Sequence, residues 1–161
     1  MPTKQNGNDV WLFNPREAID LGMLTLVVGR EAGNQTIEAM LAVAWSIKNR
    51  VLLNSIRWGG DWESVIERKW QYSSMVGPAA DPNLQKYPSL AGDSPTSLMW
   101  NRALDAATQV YTGDLAVDPS KGAHSYFDKS LDAKPPMWAN DGEFDHVADV
   151  GSFHFYKLAS V

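Results

Sequence analysis

The 161-residue chain contains no cysteine. It therefore has no disulfide framework, no zinc–thiolate site and no thiol nucleophile, so its stability must come from an apolar core. It also lacks an apolar stretch approaching the roughly 20 residues of a membrane span, and its first residues lack the apolar run of a secretory signal. These absences predict one soluble domain, long enough to bury a sizeable core without metal or disulfide support.

Positive charge is also scarce, with 14 Lys and Arg against 19 Asp and Glu and a formal net charge of -5. This balance argues against binding to nucleic acid or to a membrane surface. The sequence has no phosphate-cradling glycine loop and no Gly-x-Ser-x-Gly elbow. Its three histidines are His124, His146 and His154, and none has the four-residue helical spacing of a zinc site. We therefore expect no metal and no cofactor.

Two helices are predicted at the start of the chain. Asn14–Glu17 is typical of a helix start, with Asn14 as the cap and Pro15 in the first helical position. Residues Leu21–Val28 are apolar on every face, which indicates a helix buried in the domain. A second apolar stripe at three-four spacing begins at Ile37, and this helix is expected to end near Asn54.

The middle of the chain is less regular. Residues 61–68 predict a short capped helix. Residues 70–95 have no sustained period and predict a long loop, part of which is expected to form a cleft wall. A third long helix is predicted to begin at Ser94–Thr96 and to end at Gly113.

The C-terminal third predicts a small amount of β structure. Residues 123–127 are a plausible short strand, and residues 147–156 are a plausible partner for it. The fold class expected is mainly α (α+β), with a small β-hairpin beside a cleft. Residues 1–14 are expected to form an N-terminal tail and residues 15–161 a single catalytic domain.

Glu31 is the strongest candidate for chemistry. It follows the buried helical stretch, where the negative end of the helix dipole and poor solvation both raise a carboxyl pKa. A glutamic acid protonated near neutral pH suits general acid catalysis, for which glycoside cleavage is a common use. The alternative is a solvated residue at a helix end. The distances from Glu31 to possible partner carboxylates are not fixed by the sequence, and these partners are Glu38, Asp128, Asp145 and Asp149.

Several separated motifs occur in an order that resembles the SleB/CwlJ cell wall hydrolases, named for enzymes that degrade spore-cortex peptidoglycan. The resemblance covers about residues 19–157. Its motifs are Glu31–Asn34 with the helix that closes on Val51, Gln71–Ser73, Ala106–Gly113, Gly122–Phe127 and Gly151–Tyr156.

The resemblance implies a lysozyme-like helical fold related to lytic transglycosylases, with Glu31 as the catalytic acid. The implied reaction is cleavage of the β-1,4 bond between N-acetylmuramic acid and N-acetylglucosamine. Either water or the muramyl C6 hydroxyl can complete it, so a hydrolytic and a 1,6-anhydro outcome both stay open. Arg30 and Ala39 stand where the family commonly has glycine. The residues expected to line the glycan cleft are Gln71, Tyr72, His124, Tyr126, Trp138 and His154.

The expected partner is the peptidoglycan glycan strand, and the protein is expected to be a monomer. We expect synthesis in the cytoplasm without a signal peptide and action in the periplasm after holin-mediated release, as for a bacteriophage endolysin. Two alternatives come from other classes. One is a metal-dependent peptidoglycan amidase that uses the histidines, and the other is a non-catalytic glycan-binding module.

Overall fold

The computed structural model describes residues 2–5, 11–69, 71–78, 81–114 and 117–161. The α-helices are Pro15–Ala32 (α1), Ile37–Leu53 (α2), Trp62–Ile66 (α3), Ser73–Val76 (α4) and Pro95–Thr112 (α5). The β-strands are Thr3–Lys4 (β1), Trp11–Leu12 (β2), Ser125–Asp128 (β3), Phe144–Val150 (β4) and Phe153–Leu158 (β5). Across the described ranges, no helix combines the length and the apolar character that a membrane crossing requires.

Local capping chemistry sets the ends of the long helices. At the start of α1, the Asn14 side chain accepts a hydrogen bond of 2.9 Å from the Glu17 amide, and the Glu17 carboxylate accepts one of 2.9 Å from the Asn14 amide. This reciprocal pair satisfies two free amides, and the predicted start at Pro15 is confirmed. Helix α2 ends where Asn54 takes a left-handed conformation, with φ of 48°. Helix α5 ends in the same way at Gly113, with φ of 77°.

The core lies where α1 packs against α2 and α5. Leu24, Val27 and Val28 of α1 have no solvent-exposed surface. Gly29 lies in the same contact, and an added Cβ there would lie 2.1 Å from the Cζ3 atom of Trp100. This glycine therefore serves close packing, because only a residue without a side chain admits the indole ring.

The Gly29→Ala substitution is expected to destabilise the protein by about 1–2 kcal/mol, although alanine favours helix. The added methyl group must displace Trp100, which is 1% exposed and has little room to move. Denaturant unfolding measures the effect. Gly22→Ala is the matched control, since nothing lies within 4 Å of a Cβ at exposed Gly22 and a gain of about 0.5–1 kcal/mol is expected. Equal effects at both sites would contradict the packing explanation.

The β structure is larger than the predicted hairpin. Strands β3, β5 and β4 form an antiparallel sheet in that order, so β5 is central. The prediction of one strand over residues 147–156 is wrong, because Gly151 and Ser152 form a turn between β4 and β5. Gly151 has φ of 57°, a conformation that a glycine adopts without strain.

The sheet has two distinct faces. Tyr126 packs against Phe153 and Phe155, with ring centroids 5.2 and 5.5 Å apart, on the face that meets the helical core. Neighbouring residues of a strand point to opposite sides, so Phe127 lies on the outer face, where its ring is 5.1 Å from that of His154.

The remaining segments are short. The region predicted as a loop over residues 70–95 contains α4 and a 3₁₀ turn at Pro82–Gln85, while Trp70 and residues 79–80 lie outside the described ranges. In the predicted tail, β1 pairs with β2. Phe13 then packs against Tyr111 of α5, with ring centroids 6.2 Å apart.

Candidate active site

A cleft of about 1080 Å³ lies at the C-terminal end of α1. Its walls come from residues 83–87, the N-terminal part of α5, β3 and residues 131–138. Glu31 lies in the lining, in the last turn of α1. The cleft therefore brings a carboxyl group together with a long polar and aromatic surface.

Two hydroxyl groups hold the Glu31 carboxyl. The Ser74 hydroxyl donates to Oε1, and the Tyr126 hydroxyl donates to Oε2 at 3.2 Å. Burial raises the pKa of Glu31 above its usual value, and the nearby Asp81 also raises it, whereas the two hydroxyl donors oppose this change. The net shift is upward because burial is the largest cause. This environment favours the protonated acid, as the sequence predicted.

Arg30 does not neutralise Glu31. Its guanidinium donates to backbone carbonyls, at 2.9 Å to Lys86, 2.8 Å to Ser74 and 3.1 Å to Leu84. Adjacent helical residues point in different directions, so the two side chains have different partners: backbone carbonyls for Arg30 and the Ser74 and Tyr126 hydroxyls for Glu31. Arg30 thus fastens residues 84–86 and α4 beside the carboxyl group.

Arg50 supports the opposite side of the site from a buried position in α2. Its guanidinium donates to the Gln71 side-chain oxygen at 2.9 Å and to the Ser125 hydroxyl at 3.2 Å, as well as to the His124 carbonyl. It lies 4.8 Å from the ring centre of Trp58 and 5.2 Å from that of Tyr72. These contacts join α2, β3 and the residues before α4 around one cation.

The structure brings together four of the seven predicted site residues. Gln71, Tyr126 and Trp138 line the cleft with Glu31. Tyr72, His124 and His154 are not among the described residues that line it. Their placement therefore differs from the prediction that all six would surround the substrate with Glu31.

Each of these three side chains has another environment. Tyr72 is 3% exposed beneath the Arg50 guanidinium, and its hydroxyl has no hydrogen-bond partner in the described part of the chain. His124 stacks on Trp58, with ring centroids 5.4 Å apart, and its Nδ1 accepts a hydrogen bond from a backbone amide. His154 lies on the outer face of the sheet. Tyr72 and His124 both contact Arg50 and so help to hold the site in place.

The buried position of His124 predicts a pH dependence of stability. Burial, with Arg50 and Lys157 nearby, lowers the pKa of His124 to about 4. The unfolded chain binds this proton more readily, so the contribution of neutral His124 is present above a pH of about 6.5 and is lost as the pH falls towards 4. We expect the free energy of unfolding to drop by roughly 2 kcal/mol more across this range in the wild type than in His124→Gln.

Urea unfolding of both proteins between pH 4 and 7 measures this difference. The comparison is needed because the pKa of His154 is raised by Asp149, which gives a contribution of opposite sign that is lost as the pH rises. Both proteins keep that second contribution. Parallel stability curves would mean that His124 does not cause the acid sensitivity.

Sequence reasoning missed Ser74 and the supporting role of Arg50. Ser74 sits in a single helical turn that is too short for a periodic pattern. Arg50 offered a signal, since it follows Ile47 at helical spacing on the buried stripe of α2. A cation on such a stripe indicates buried acceptors from elsewhere in the fold.

The sequence match decides the family. Residues 34–156 match the sequence profile of the family described as Cell Wall Hydrolase. The chain belongs to the cell wall hydrolase family. It is therefore an enzyme that acts on cell wall peptidoglycan. The match begins three residues after Glu31, so the role of this carboxyl depends on its geometry. No curated protein sequence matches this cell wall hydrolase.

Two solved structures resemble this cell wall hydrolase along its length. One is the catalytic domain of a germination-specific lytic transglycosylase, SleB, from Bacillus anthracis, with 21% identity and a TM-score of 0.63, covering 96% of this chain and 100% of that one. The other is the catalytic domain of Bacillus cereus SleB, with 20% identity and a TM-score of 0.63, covering 95% and 100%. The predicted lysozyme-like, mainly helical fold with small β elements is confirmed.

Proposed function

We propose that this cell wall hydrolase cleaves the β-1,4 bond between N-acetylmuramic acid and N-acetylglucosamine, with Glu31 as general acid. The observation that carries the proposal is a carboxyl group in the lining of a large cleft whose pKa is raised by burial. The cleft has room for several sugar rings, and Trp138 and Tyr126 offer aromatic surface along it. The relative from Bacillus anthracis is described as a lytic transglycosylase, which agrees with this chemistry.

In the first step, Glu31 donates its proton to the glycosidic oxygen as the bond from that oxygen to the muramyl C1 breaks. The N-acetylglucosamine leaves with a free 4-hydroxyl group. Ser74 and Tyr126 hold the carboxyl in one orientation before the reaction and donate to the carboxylate that forms. Donors that are already in place cost no reorganisation when the charge develops.

The hydroxyl donors also predict a pH effect. The Ser74 hydrogen bond lowers the pKa of Glu31, so its removal in Ser74→Ala should raise that pKa further. The alkaline limb of the kcat/KM profile is then expected to move to higher pH, because the acid stays protonated longer. A pH–rate series on purified sacculi measures this. A limb that moves to lower pH, or not at all, would contradict the role given to Ser74.

In the second step we propose attack by the muramyl C6 hydroxyl on C1. The bond from C1 to O6 forms, the hydroxyl proton passes to the Glu31 carboxylate, and no water is consumed. The arrangement of Asp128 supports this route. In the described part of the lining, Asp128 is the one other carboxylate, and its oxygens accept hydrogen bonds from Ser130 at 2.8 Å and Ser152 at 2.6 Å. A carboxylate engaged in this way is poorly placed to activate water.

Digestion of sacculi in water enriched in oxygen-18 tests the route. We expect 1,6-anhydro-muropeptides without the heavy isotope, analysed by mass spectrometry before any exchange at reducing ends. Reducing-end muropeptides that carry oxygen-18 would instead show a water-using muramidase. Both outcomes are compatible with a glycosidase in which Glu31 acts as the acid. The test therefore decides only what attacks C1 in the second step.

The amidase alternative has less support. An amidase of that class needs metal ligands facing the substrate, and none of the described residues that line the cleft is a histidine. Release of free peptide stems from sacculi, with sensitivity to chelators, would favour the amidase.

The proposal extends to bacterial lysis as an endolysin that reaches the periplasm through a holin and works as a monomer on glycan strands. Action on the cell wall supports it. Expression inside a Gram-negative host with and without a co-expressed holin tests it by following culture turbidity. Lysis that is equally fast without holin would contradict the release route, and light scattering of the purified protein measures its oligomeric state.

A further inference from the structure

Two histidines and an aspartate converge on the outer face of the sheet. The Asp149 Oδ1 atom lies 2.9 Å from His146 Nε2 and 2.5 Å from His154 Nδ1. One ligand atom from each side chain lies within 4.8 Å of the other two. The histidines are eight residues apart, so the linear sequence gave no metal-ligand spacing. The hairpin brings them together.

The backbone of β4 places these side chains on one face. Asp149 and His154 are directly opposite one another across the β4–β5 pair. Residues three apart on a regular strand, such as His146 and Asp149, point to opposite faces. A register shift between His146 and Ala148 changes this alternation. Such bulges redirect side chains, and this one brings the His146 imidazole to Asp149.

A further carboxylate orients His154. Its Nε2 atom lies 2.8 Å from Asp132 Oδ1, in the 128–132 segment beside the cleft. A metal-binding histidine usually donates its other ring N–H to a carboxylate in this way, which fixes the tautomer. The 2.5 Å between His154 Nδ1 and Asp149 Oδ1 is a hydrogen-bond distance, with a proton between the two atoms. A metal ion bound by both side chains would take the place of that proton.

We propose that His146, Asp149 and His154 form a binding site for a divalent transition metal of the zinc type, with Asp132 as the carboxylate that orients His154. Two imidazoles and a carboxylate suit Zn²⁺, whereas Ca²⁺ prefers oxygen ligands. The side chains are exposed or half-buried, so water can occupy a fourth position. A bound ion would tie the β4–β5 hairpin to the segment that carries Leu131 of the cleft wall.

The three proposed ligands are not in the cleft lining, although Phe127, whose ring lies 5.1 Å from that of His154, is. Tyr126, which contacts Glu31, is on the inner face of the sheet, and the histidines are on the outer face. The ion therefore acts on the sheet and its attached segment. Its loss should change stability without removing the acid from the cleft.

Calorimetric titration of the full, untagged protein with Zn²⁺ tests the proposal. We expect one ion per chain, weaker binding by at least about 10-fold in Asp149→Asn and in His146→Gln, and no binding of Ca²⁺. Asp145→Asn is the matched control, because it removes the same charge from an exposed position of β4 outside the cluster. It should bind as the wild type does. His146→Gln alters an exposed side chain, so weaker Zn²⁺ binding by this variant would not be explained by a folding defect.

Nitrogen-15 NMR of the imidazoles supplies a second readout. Zn²⁺ should shift the His154 Nδ1 and His146 Nε2 resonances while His154 Nε2 stays protonated. The melting temperature of the wild type should rise with Zn²⁺ and that of Asp149→Asn should not. The proposal is overturned if the wild type does not bind Zn²⁺, or if Asp149→Asn and His146→Gln bind it as tightly as Asp145→Asn.

Discussion

Glu31→Gln is expected to lower the rate of peptidoglycan cleavage by about 10³-fold or more, with little change in the melting temperature. Glutamine keeps the size of the side chain but has no acidic proton for the leaving oxygen. A positioned general acid contributes typically about 10²–10⁴-fold, and here the same group is proposed to act again as the base. Release of soluble muropeptides from sacculi, followed by mass spectrometry, measures the loss.

Glu38→Gln is the matched control, because Glu38 is an exposed acid in the first turn of α2. It makes the same chemical change a few residues away and should retain full activity. A Glu31→Gln protein with more than about a tenth of the wild-type rate would remove Glu31 from its central role. If the wild type bound sacculi without releasing any product, the glycan-binding module would become the better interpretation.

Arg50→Met is expected to cause the largest loss of stability, about 3 kcal/mol or more, with a fall in Tm of roughly 6–12 °C. Methionine fills much of the volume but donates no hydrogen bond. The buried acceptors on His124, Gln71 and Ser125 would then lose a charged donor. Buried acceptors left without a donor carry the cost of their lost hydration. Thermal and urea unfolding measure the change.

Arg50→Lys separates charge from geometry. Lysine keeps the cation, but a single ammonium group does not reproduce the planar fork that reaches three acceptors from between two aromatic rings. We expect an intermediate loss. If Arg50→Lys were as stable as the wild type, charge alone would explain the effect and the fork geometry would be irrelevant.

The helical part of the fold was predictable because its signals are local. The capping pair at Asn14 and Glu17 and the glycine at Gly113 mark helix ends within a few residues of where they act. Periodic apolar residues over α1, α2 and α5 identify the buried faces without knowledge of the partner.

The sheet was predicted less well, because one of its decisive features is not local. The Gly-Ser pair at residues 151–152 is a turn signal, but it lies inside a run of residues whose pattern otherwise favours a single strand. The register shift at His146 and Ala148 depends on how β4 pairs with β5. No local pattern distinguishes that strand from a regular one.

The residues of the site also differ in whether their signals are local. Glu31 is a candidate because of its place after a buried helical stretch, and Gln71, Tyr126 and Trp138, which line the cleft with it, come from the family resemblance. The buried position of His124 could not be predicted, because it depends on packing against Trp58, which is 66 positions earlier in the chain. The residues that support a site do so through contacts with residues far away in the chain. A single sequence does not show which residues will be in contact.

The hold of Arg30 on the carbonyls of residues 84 and 86 has a mechanical consequence. Arg30, which anchors the cleft wall, and Glu31, the proposed proton donor, are consecutive residues in the same turn of one helix. Any displacement of that turn carries both together, so the distance between the wall and the acid stays nearly constant while the whole assembly moves. A glycan that presses the wall outward is therefore expected to shift the Glu31 carboxyl with it.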